Sequence, residues 1–338
     1  MNNLLAAHKN NITYLSSKCN IIYCVYISSH IIPECLGANL KLPKSVCEDC
    51  NKKIGSTIEA KICNDFSFYR FLAQVKTKKG KQTSTVAELE IMGNKVNVKI
   101  GEGGVPKCVP PIIVDEGPPR QFLVTAESPE KLKKIVNSFE KMGIMFDPEK
   151  MAREDVRLIF TADKRYIASN DYLRVATKIA FERLCYISPQ RAYNDEYDKV
   201  RNFIRFGKYQ NRKPARLIYE ERLVNNILGL PFPFHGVLLF AYGRLIASIV
   251  SIFGLFYYYV ILNDNNRILQ NWAKFIYIDP HDRKAREPIL KSDYSLRRIL
   301  SLVWVSLRDP DVVQKSQKYA KVKFDEIVSK IKIKNKTD

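Results

Sequence analysis

Five of the eight cysteines in this 338-residue chain lie between positions 19 and 50, and no other feature constrains the fold as strongly. Cys47 and Cys50 form a Cys-x-x-Cys pair, whose spacing lets two thiolates point at one ion. Zinc takes four ligands of this kind at about 2.3 Å in a tetrahedron, so a second pair is required. Cys19 and Cys24 provide it, at a spacing within the usual range. The cluster therefore predicts a structural Zn²⁺ held by these four cysteines.

The N-terminus lacks the long apolar stretch and the cleavage pattern of a secretory signal peptide. We therefore expect a cytoplasmic protein, in which clustered cysteines favour a metal over disulfides. Residues 1–18 are polar and are predicted to be a flexible lead-in. The remaining cysteines are expected to be small buried hydrophobic side chains: Cys35, Cys63, Cys108 and Cys185.

A histidine lies between the two cysteine pairs, in the sequence His30-Ile31-Ile32-Pro33. Together with Cys50-Asn51 and Gly55, this motif resembles the HNH endonuclease family, in the zinc-knuckle branch with Cys-x-x-Cys-Asn. The resemblance covers residues 19 to about 60 closely and the rest of the chain only loosely. It implies a ββα-metal fold, a hairpin and a helix whose ends the zinc holds together.

The resemblance also implies a role for three residues. His30 is the general base, because a neutral imidazole with a pKa of about 6.5 can deprotonate the water that attacks the phosphate. Asn51 holds a catalytic Mg²⁺ or Mn²⁺ ion at the start of the helix, where the helix N-terminus also attracts phosphate. Asn39 matches the middle asparagine of the family name. The predicted function is an HNH-type endonuclease that hydrolyses phosphodiester bonds in DNA.

The residue before the histidine departs from the family pattern. It is Ser29, where the family has Asp or Glu, so the carboxylate ligand of the divalent ion is missing. Glu34 or Glu59 is the alternative source of a carboxylate, although a surface or helix-capping place is expected more often for such residues. Ser29 therefore favours a second hypothesis, a catalytically weakened, zinc-stabilised protein that binds nucleic acid.

Two further departures concern spacing. Ile21 stands where the family has its first zinc cysteine, so Cys19 has to take over that position. Only five residues separate Cys24 from His30, a short knuckle loop. An ordinary turn histidine before a proline is thus an alternative interpretation of His30.

The formal net charge is +20, from 55 basic and 35 acidic residues. An excess of this size indicates a polyanionic partner, and nucleic acid is the commonest polyanion in a cell. Solubility alone is the other explanation of the lysines. We expect nucleic acid, in particular DNA, to be the partner.

Residues 245–262 form an uncharged run that is long enough to be a candidate for a transmembrane helix. The run is rich in β-branched and aromatic residues and follows an apolar segment that ends at Gly243-Arg244. Continuous apolar runs are typical of strands covered on both faces, so a buried β-hairpin is favoured. A membrane-associated protein anchored through this run is the third, less favoured hypothesis.

The predicted fold class is α+β. An N-terminal ββα-metal zinc module at 19–75 precedes a larger α+β region at 82–338, which contains the buried hairpin. A helix is expected from near Cys47 toward 75, with an interruption at Gly55. Two strands should flank Gly93-Asn94. Further helices are predicted at 128–143, 170–186, 195–206 and 316–335.

Overall fold

The computed structural model describes residues 26–77, 79–91, 94–101, 112–115, 121–123, 129–141, 157–159, 167–192, 194–209, 212–265, 270–288 and 296–334. The chain divides into two compact units, one formed by residues 1–64 with 164–338 and the other by residues 65–163. Helices and antiparallel sheets make the architecture α+β, as predicted. The predicted domain boundaries at 19, 75 and 82 stay predictions.

The strands are β1 (Tyr26–His30), β2 (Lys41–Cys47), β3 (Thr85–Ile91), β4 (Asn94–Ile100), β5 (Ile112–Asp115), β6 (Gln121–Leu123), β7 (Arg157–Ile159), β8 (Ala215–Ile218), β9 (His235–Tyr242), β10 (Leu245–Ile252), β11 (Phe256–Asn263), β12 (Trp272–Ile278) and β13 (Ala285–Arg286). The α-helices are α1 (Glu48–Ile54), α2 (Ala60–Asp65), α3 (Ser67–Leu72), α4 (Pro129–Glu140), α5 (Asn170–Ile187), α6 (Pro189–Ala192), α7 (Asp198–Phe206), α8 (Leu296–Arg308) and α9 (Val312–Lys334). Two π-helical segments cover Gly55–Glu59 and Arg222–Leu228, and 3-10 turns cover Glu34–Leu36 and Asp195–Tyr197.

Six antiparallel strands form the main sheet of the first unit, in the order β13-β12-β9-β10-β11-β8. The apolar run 245–262 supplies β10 and most of β11, and nearly all of its side chains are buried. Gly243 adopts a φ of 57° in the tight turn between β9 and β10, a conformation that glycine takes without strain. The predicted buried hairpin is thus confirmed, with β11 as a third strand. Within the described ranges, no helix combines the length and the apolar composition needed to span a bilayer.

Both faces of this sheet are covered by helices, which explains the absence of polar alternation in its strands. Ile299 and Val303 of α8 join a buried cluster with alternate residues of the sheet, including Tyr257. The next residue along β11, Tyr258, points the other way and donates a hydrogen bond to the carbonyl of Ile167, just before α5. The two helices therefore pack on opposite faces, and the sheet between them is the centre of the core.

Helix α5 carries charged side chains into this core. All of its residues from Val175 to Cys185 are buried, and Lys178, Glu182 and Arg183 are among them. Lysine, glutamate and arginine are almost never fully buried unless they are paired. We therefore expect each of these charged side chains to have a partner within the core.

Strands β1 and β2 pair in antiparallel fashion, and α1 begins directly after β2. Gly55 keeps a helical φ of −60°, so the predicted interruption takes the form of the π-helical segment Gly55–Glu59, followed by α2. Single π-helical turns within α-helices occur frequently at functional sites. The order of a hairpin and a helix agrees with the predicted secondary structure of the N-terminal region.

A disulfide joins Cys35 and Cys63, whose Cα atoms are 6.0 Å apart. The expectation that these two residues are separate hydrophobic side chains is therefore wrong. The reason is tertiary: the 3-10 turn that holds Cys35 and the helix that holds Cys63 are 28 residues apart in sequence. Cys185 is buried as expected, and Cys108 lies outside the described residues.

The second unit contains the predicted hairpin of β3 and β4, which pair in antiparallel fashion, and β7 pairs with the other edge of β3. Strands β5 and β6 form a separate pair. The helix predicted at 128–143 is observed as α4, Pro129–Glu140. Of the other predicted helices, those at 170–186, 195–206 and 316–335 correspond to α5, the 3-10 turn with α7, and α9.

Candidate active site

His30 is the last residue of β1, and its imidazole is partly exposed beside the carboxylate of Glu34. The His30 Nε2 and Glu34 Oε2 atoms are 3.6 Å apart. Burial lowers the pKa of His30 below its ordinary value; the charge of Glu34 opposes this effect, while Lys41 and Lys178 add to it. The imidazole is thus neutral at pH 7, the form that can accept a proton. Its Nδ1 is buried and makes no hydrogen bond within the described part of the chain.

Lys178 reaches the end of β1 from helix α5. Its ammonium donates hydrogen bonds to the carbonyl oxygen of His30 at 2.8 Å and to Oε2 of Glu182 at 3.0 Å. It also forms an ion pair with Glu59, whose Oε1 is 3.0 Å away but out of line for a hydrogen bond. Burial by itself would lower the pKa of Lys178, but Glu182 and Glu59 outweigh burial and hold that pKa above its ordinary value. Lys178 therefore stays charged inside the core.

Ser29 donates a hydrogen bond from its hydroxyl to Oε1 of Glu182 at 2.8 Å, and both side chains are buried. Glu182 thus binds Ser29 with one oxygen and Lys178 with the other. A carboxylate does lie next to residue 29, where the HNH resemblance implies one. This carboxylate belongs to Glu182 of α5, which is 153 residues further along the chain, and not to residue 29 itself.

Glu34 and Glu59, the two alternative sources of a carboxylate, both belong to the surroundings of His30. Glu34 opens the 3-10 turn after Pro33, and Glu59 ends the π-helical segment. Their side chains are about one-fifth exposed, at 22% and 20%, and the buried Oε1 of Glu59 faces the ammonium of Lys178. The negative charge of each raises the pKa of His30, and the effect of Glu34 is the larger of the two. That either of them supplies a carboxylate to the site stays a prediction.

Lys178 and Glu182 are the residues that sequence reasoning missed. The signal available was their spacing of four within a helix whose neighbouring positions Ile179 and Ala180 are apolar. Charged residues on the buried side of such a helix must find partners. The sequence offers no means of telling that the partners are Ser29 and His30.

The asparagines predicted for this site lie apart from the hydrogen bonds just described. Asn51 is half-buried on α1, and its backbone carbonyl accepts a hydrogen bond from the N–H of Gly55. Asn39 is exposed in the loop before β2. In the described part of the chain, neither side chain is hydrogen-bonded to His30. The roles of Asn39 and Asn51 stay predictions.

The predicted zinc ligands are described in part. Cys47 and Cys50 are buried where β2 passes into α1, which suits a pair of thiolates directed at one ion. Cys19 and Cys24 lie outside the described residues. Over the residues that are described, no three His, Cys, Asp or Glu side chains group closely enough to hold a metal ion. The four-cysteine zinc site stays a prediction.

The surroundings of Ser29 do not fit a divalent ion in the way that the resemblance implies. The hydroxyl that would face the ion is bonded to Glu182. The carboxylates of Glu59 and Glu182 both face the ammonium of Lys178, which occupies the position between them. A second cation there would have to displace that ammonium.

A half-open groove of about 1100 Å³ lies elsewhere in the first unit, lined by α7, the segment before β8 and the end of β11. Its lining includes four cations that form no ion pair in the part of the chain described: Lys199, Lys208, Arg212 and Lys213. Tyr209 is 47% exposed there, with the Nζ of Lys213 5.4 Å from its ring centroid. Three acidic residues, Asp195, Glu196 and Asp264, also contribute to the lining. Unpaired cations beside an exposed aromatic ring are typical of surfaces that bind single-stranded nucleic acid.

Comparison with known proteins adds no relative. The chain matches no protein-family model, no curated protein and no solved structure. The similarity to HNH endonucleases therefore rests on the motif residues between Cys19 and about residue 60, and on nothing outside them.

Proposed function

We propose that this protein is an HNH-type endonuclease that hydrolyses phosphodiester bonds in DNA with His30 as the general base. The observation that supports this most is the setting of His30. A neutral, partly exposed imidazole stands at the end of a strand, 3.6 Å from a carboxylate, in an antiparallel pair that leads directly into a helix. The net charge of +20 agrees with a polyanionic substrate.

The imidazole acts as the base through one particular nitrogen. Because Nδ1 is buried, the proton of the attacking water passes to Nε2, on the side of Glu34. The negative charge of Glu34 stabilises the imidazolium that results and keeps the ring in position. The hydrogen bond from Lys178 to the carbonyl oxygen of His30 holds the backbone of that residue in place. In this scheme Cys47 and Cys50, with Cys19 and Cys24, would hold a structural Zn²⁺ that stabilises the module.

Nicking of supercoiled plasmid DNA tests the proposal. The assay is run with Mg²⁺, with Mn²⁺ and with neither ion added. We expect the wild-type protein to nick the plasmid in at least one of these conditions, and His30→Ala to lower the rate on the order of 100-fold or more. His281→Ala is the matched control, because His281 is an exposed histidine in the turn after β12. Absence of nicking by the wild-type protein, or equal nicking by His30→Ala, would contradict the proposal.

A second candidate function is binding of nucleic acid without cleavage. Two observations favour it: the hydroxyl of Ser29 is engaged by Glu182, and the groove beside α7 offers unpaired cations with an exposed Tyr209. Gel-shift titrations with the same DNA separate the two candidates. Tight binding that His30→Ala leaves unchanged, combined with no nicking under any condition, would support the second candidate over the first.

A further inference from the structure

We propose that the ammonium of Lys178 is a built-in cation that takes the place of a divalent metal ion beside His30. As a statement about catalysis, this inference rests on the function proposed above. As a statement about cation binding, it stands on geometry and can be tested without any activity.

The oxygen atoms around the ammonium are of the kind that divalent cations take from proteins. One is the backbone carbonyl of His30, at 2.8 Å, and two belong to the carboxylates of Glu59 and Glu182, both at 3.0 Å. Carboxylates and carbonyls are the ligands of Mg²⁺, Mn²⁺ and Ca²⁺. The ammonium supplies the positive charge of a metal ion, and two of its three N–H groups donate to the carbonyl of His30 and to Glu182.

An ordinary structural ion pair does not account for these contacts. Lys178 and Glu182 are four residues apart on α5 and could neutralise each other without any other element. Instead, Lys178 binds His30 and Glu182 binds Ser29, so the pair contacts two consecutive residues of β1. These are the two positions at which the HNH resemblance implies a metal ligand and a base. The charged pair is therefore directed at the candidate site.

Beside the ammonium of Lys178, a serine at position 29 is more favourable than the acidic residue that the HNH resemblance implies there. Lys178 carries one positive charge and already faces the carboxylates of Glu59 and Glu182. A further carboxylate at the buried position 29 would meet Glu182 with no cation left to neutralise it, which is costly in a low-dielectric interior. A hydroxyl donates a hydrogen bond to Glu182 instead. The departure from the family pattern and the buried lysine thus have one explanation.

Binding of Mn²⁺, followed by electron paramagnetic resonance, tests the inference directly. The protein is used as purified, in buffer freed of other divalent ions. We expect the wild-type protein to bind no Mn²⁺ at this site, and Lys178→Ala to gain one Mn²⁺ per chain, because two carboxylates and a carbonyl then lack their cation. The double variant Lys178→Ala/Glu59→Gln should lose that ion. Lys61→Ala, which removes the ammonium paired with Asp171 elsewhere on α5, is the matched control and should gain none.

Two results would overturn the inference. One is a wild-type protein that already binds one Mn²⁺ which Glu59→Gln removes. The other is a folded Lys178→Ala protein that binds no Mn²⁺. If Lys178→Ala does not fold, Mn²⁺ binding is compared between the wild-type protein and Lys178→Arg. Lys178→Arg keeps a cation, so neither protein should bind Mn²⁺, and binding by either one through Glu59 would overturn the inference.

The nicking assay separates this inference from the proposed function. Wild-type nicking without added divalent ions supports both. A gain of Mn²⁺ binding by Lys178→Ala, with no nicking by any variant, supports the cation inference and contradicts the endonuclease. Wild-type nicking that depends on Mn²⁺ bound through Glu59 supports the endonuclease and contradicts the inference.

Discussion

The hydroxyl of Ser29 donates a hydrogen bond to Oε1 of Glu182 across 2.8 Å, although 153 residues separate the two in sequence. Ser29→Ala leaves a buried carboxylate oxygen without this donor, so we expect the free energy of unfolding to fall by about 1–3 kcal/mol. Ser29→Asp should lower it further, because two carboxylates then meet in a buried place. Urea denaturation of the three proteins measures the difference. A Ser29→Asp protein as stable as Ser29→Ala would contradict the role given to this hydrogen bond.

The proton affinity of His30 gives a prediction that does not require activity. Since burial lowers the pKa of His30, nuclear magnetic resonance titration of its ring protons should have a midpoint below the ordinary value of about 6.5. Glu34 raises that pKa, so Glu34→Gln should move the midpoint to still lower pH. In the pH profile of the nicking rate, the pH at which the rate falls on acidification should shift in the same direction. Glu48→Gln, a change at a partly exposed glutamate paired with Lys52, is the control and should leave the midpoint in place.

His235 makes the stability of the fold depend on pH. Its Nε2–H donates to the carbonyl of Leu36 at 3.0 Å, and its Nδ1 accepts the N–H of Phe253 at 3.2 Å, so no acceptor remains for a second ring proton. Burial lowers the pKa of His235 to about 4. Between about pH 6.5 and pH 4 the unfolded chain binds a proton here that the folded chain does not, and the free energy of unfolding falls as the pH falls.

This difference of pKa corresponds to about 3 kcal/mol across that window. Denaturant titrations at several pH values should show a steeper loss of stability below pH 6.5 for the wild-type protein than for His235→Gln. Parallel pH dependences of the two proteins would rule out this role of His235.

The disulfide between Cys35 and Cys63 closes a loop with a separation of 28 residues, for which loss of chain entropy in the unfolded state gives a stabilisation of about 3.6 kcal/mol. Cys35→Ser should therefore lower the unfolding temperature of oxidised protein and have little effect in reductant. Mass spectrometry after alkylation without reductant should find both residues unmodified. Alkylation of both in the folded, non-reduced protein would contradict the pairing.

The groove beside α7 predicts how DNA binding responds to salt. Lys208 and Arg212 form no ion pair among the described residues, so both are available to phosphates. Replacing both with alanine should weaken binding and reduce the slope of log K against log salt concentration by about 2. Lys133→Ala/Lys134→Ala, which removes two exposed lysines of α4, is the charge-matched control. Equal slopes for the two double variants would remove the groove from the binding surface.

The elements with strong local patterns could be predicted from the sequence. The uncharged run 245–262 predicts buried strands, and the apolar spacing on α5 predicts a helix, because both patterns depend on near neighbours. Helix α8 was not predicted. The composition of its Val303-Trp304-Val305 segment favours a strand. The segment is nevertheless helical, because the helix packs Ile299 and Val303 against the sheet.

The candidate site was predictable only as far as its motif reaches. His30 and the two nearby acids, Glu34 and Glu59, lie within one short stretch of sequence. Lys178 and Glu182 belong to another helix, and their contacts with β1 depend on how α5 crosses the end of that strand. No local propensity carries that information, because a helix with paired charges can equally well face solvent.

The π-helical segment Gly55–Glu59 determines how two centres are oriented about one helical axis. Each residue of an α-helix advances by about 100° around the axis, so a wider turn offsets everything that follows it. Cys50 lies before the wide turn, and Glu59, next to Lys178, is the last residue of that turn. With one residue fewer in the segment, Glu59 would turn by about 100° and leave the ammonium. The wide turn thus rotates the residues that follow it about the helical axis, so that one helix places a cysteine pair on one side and a residue of the charged cluster on another.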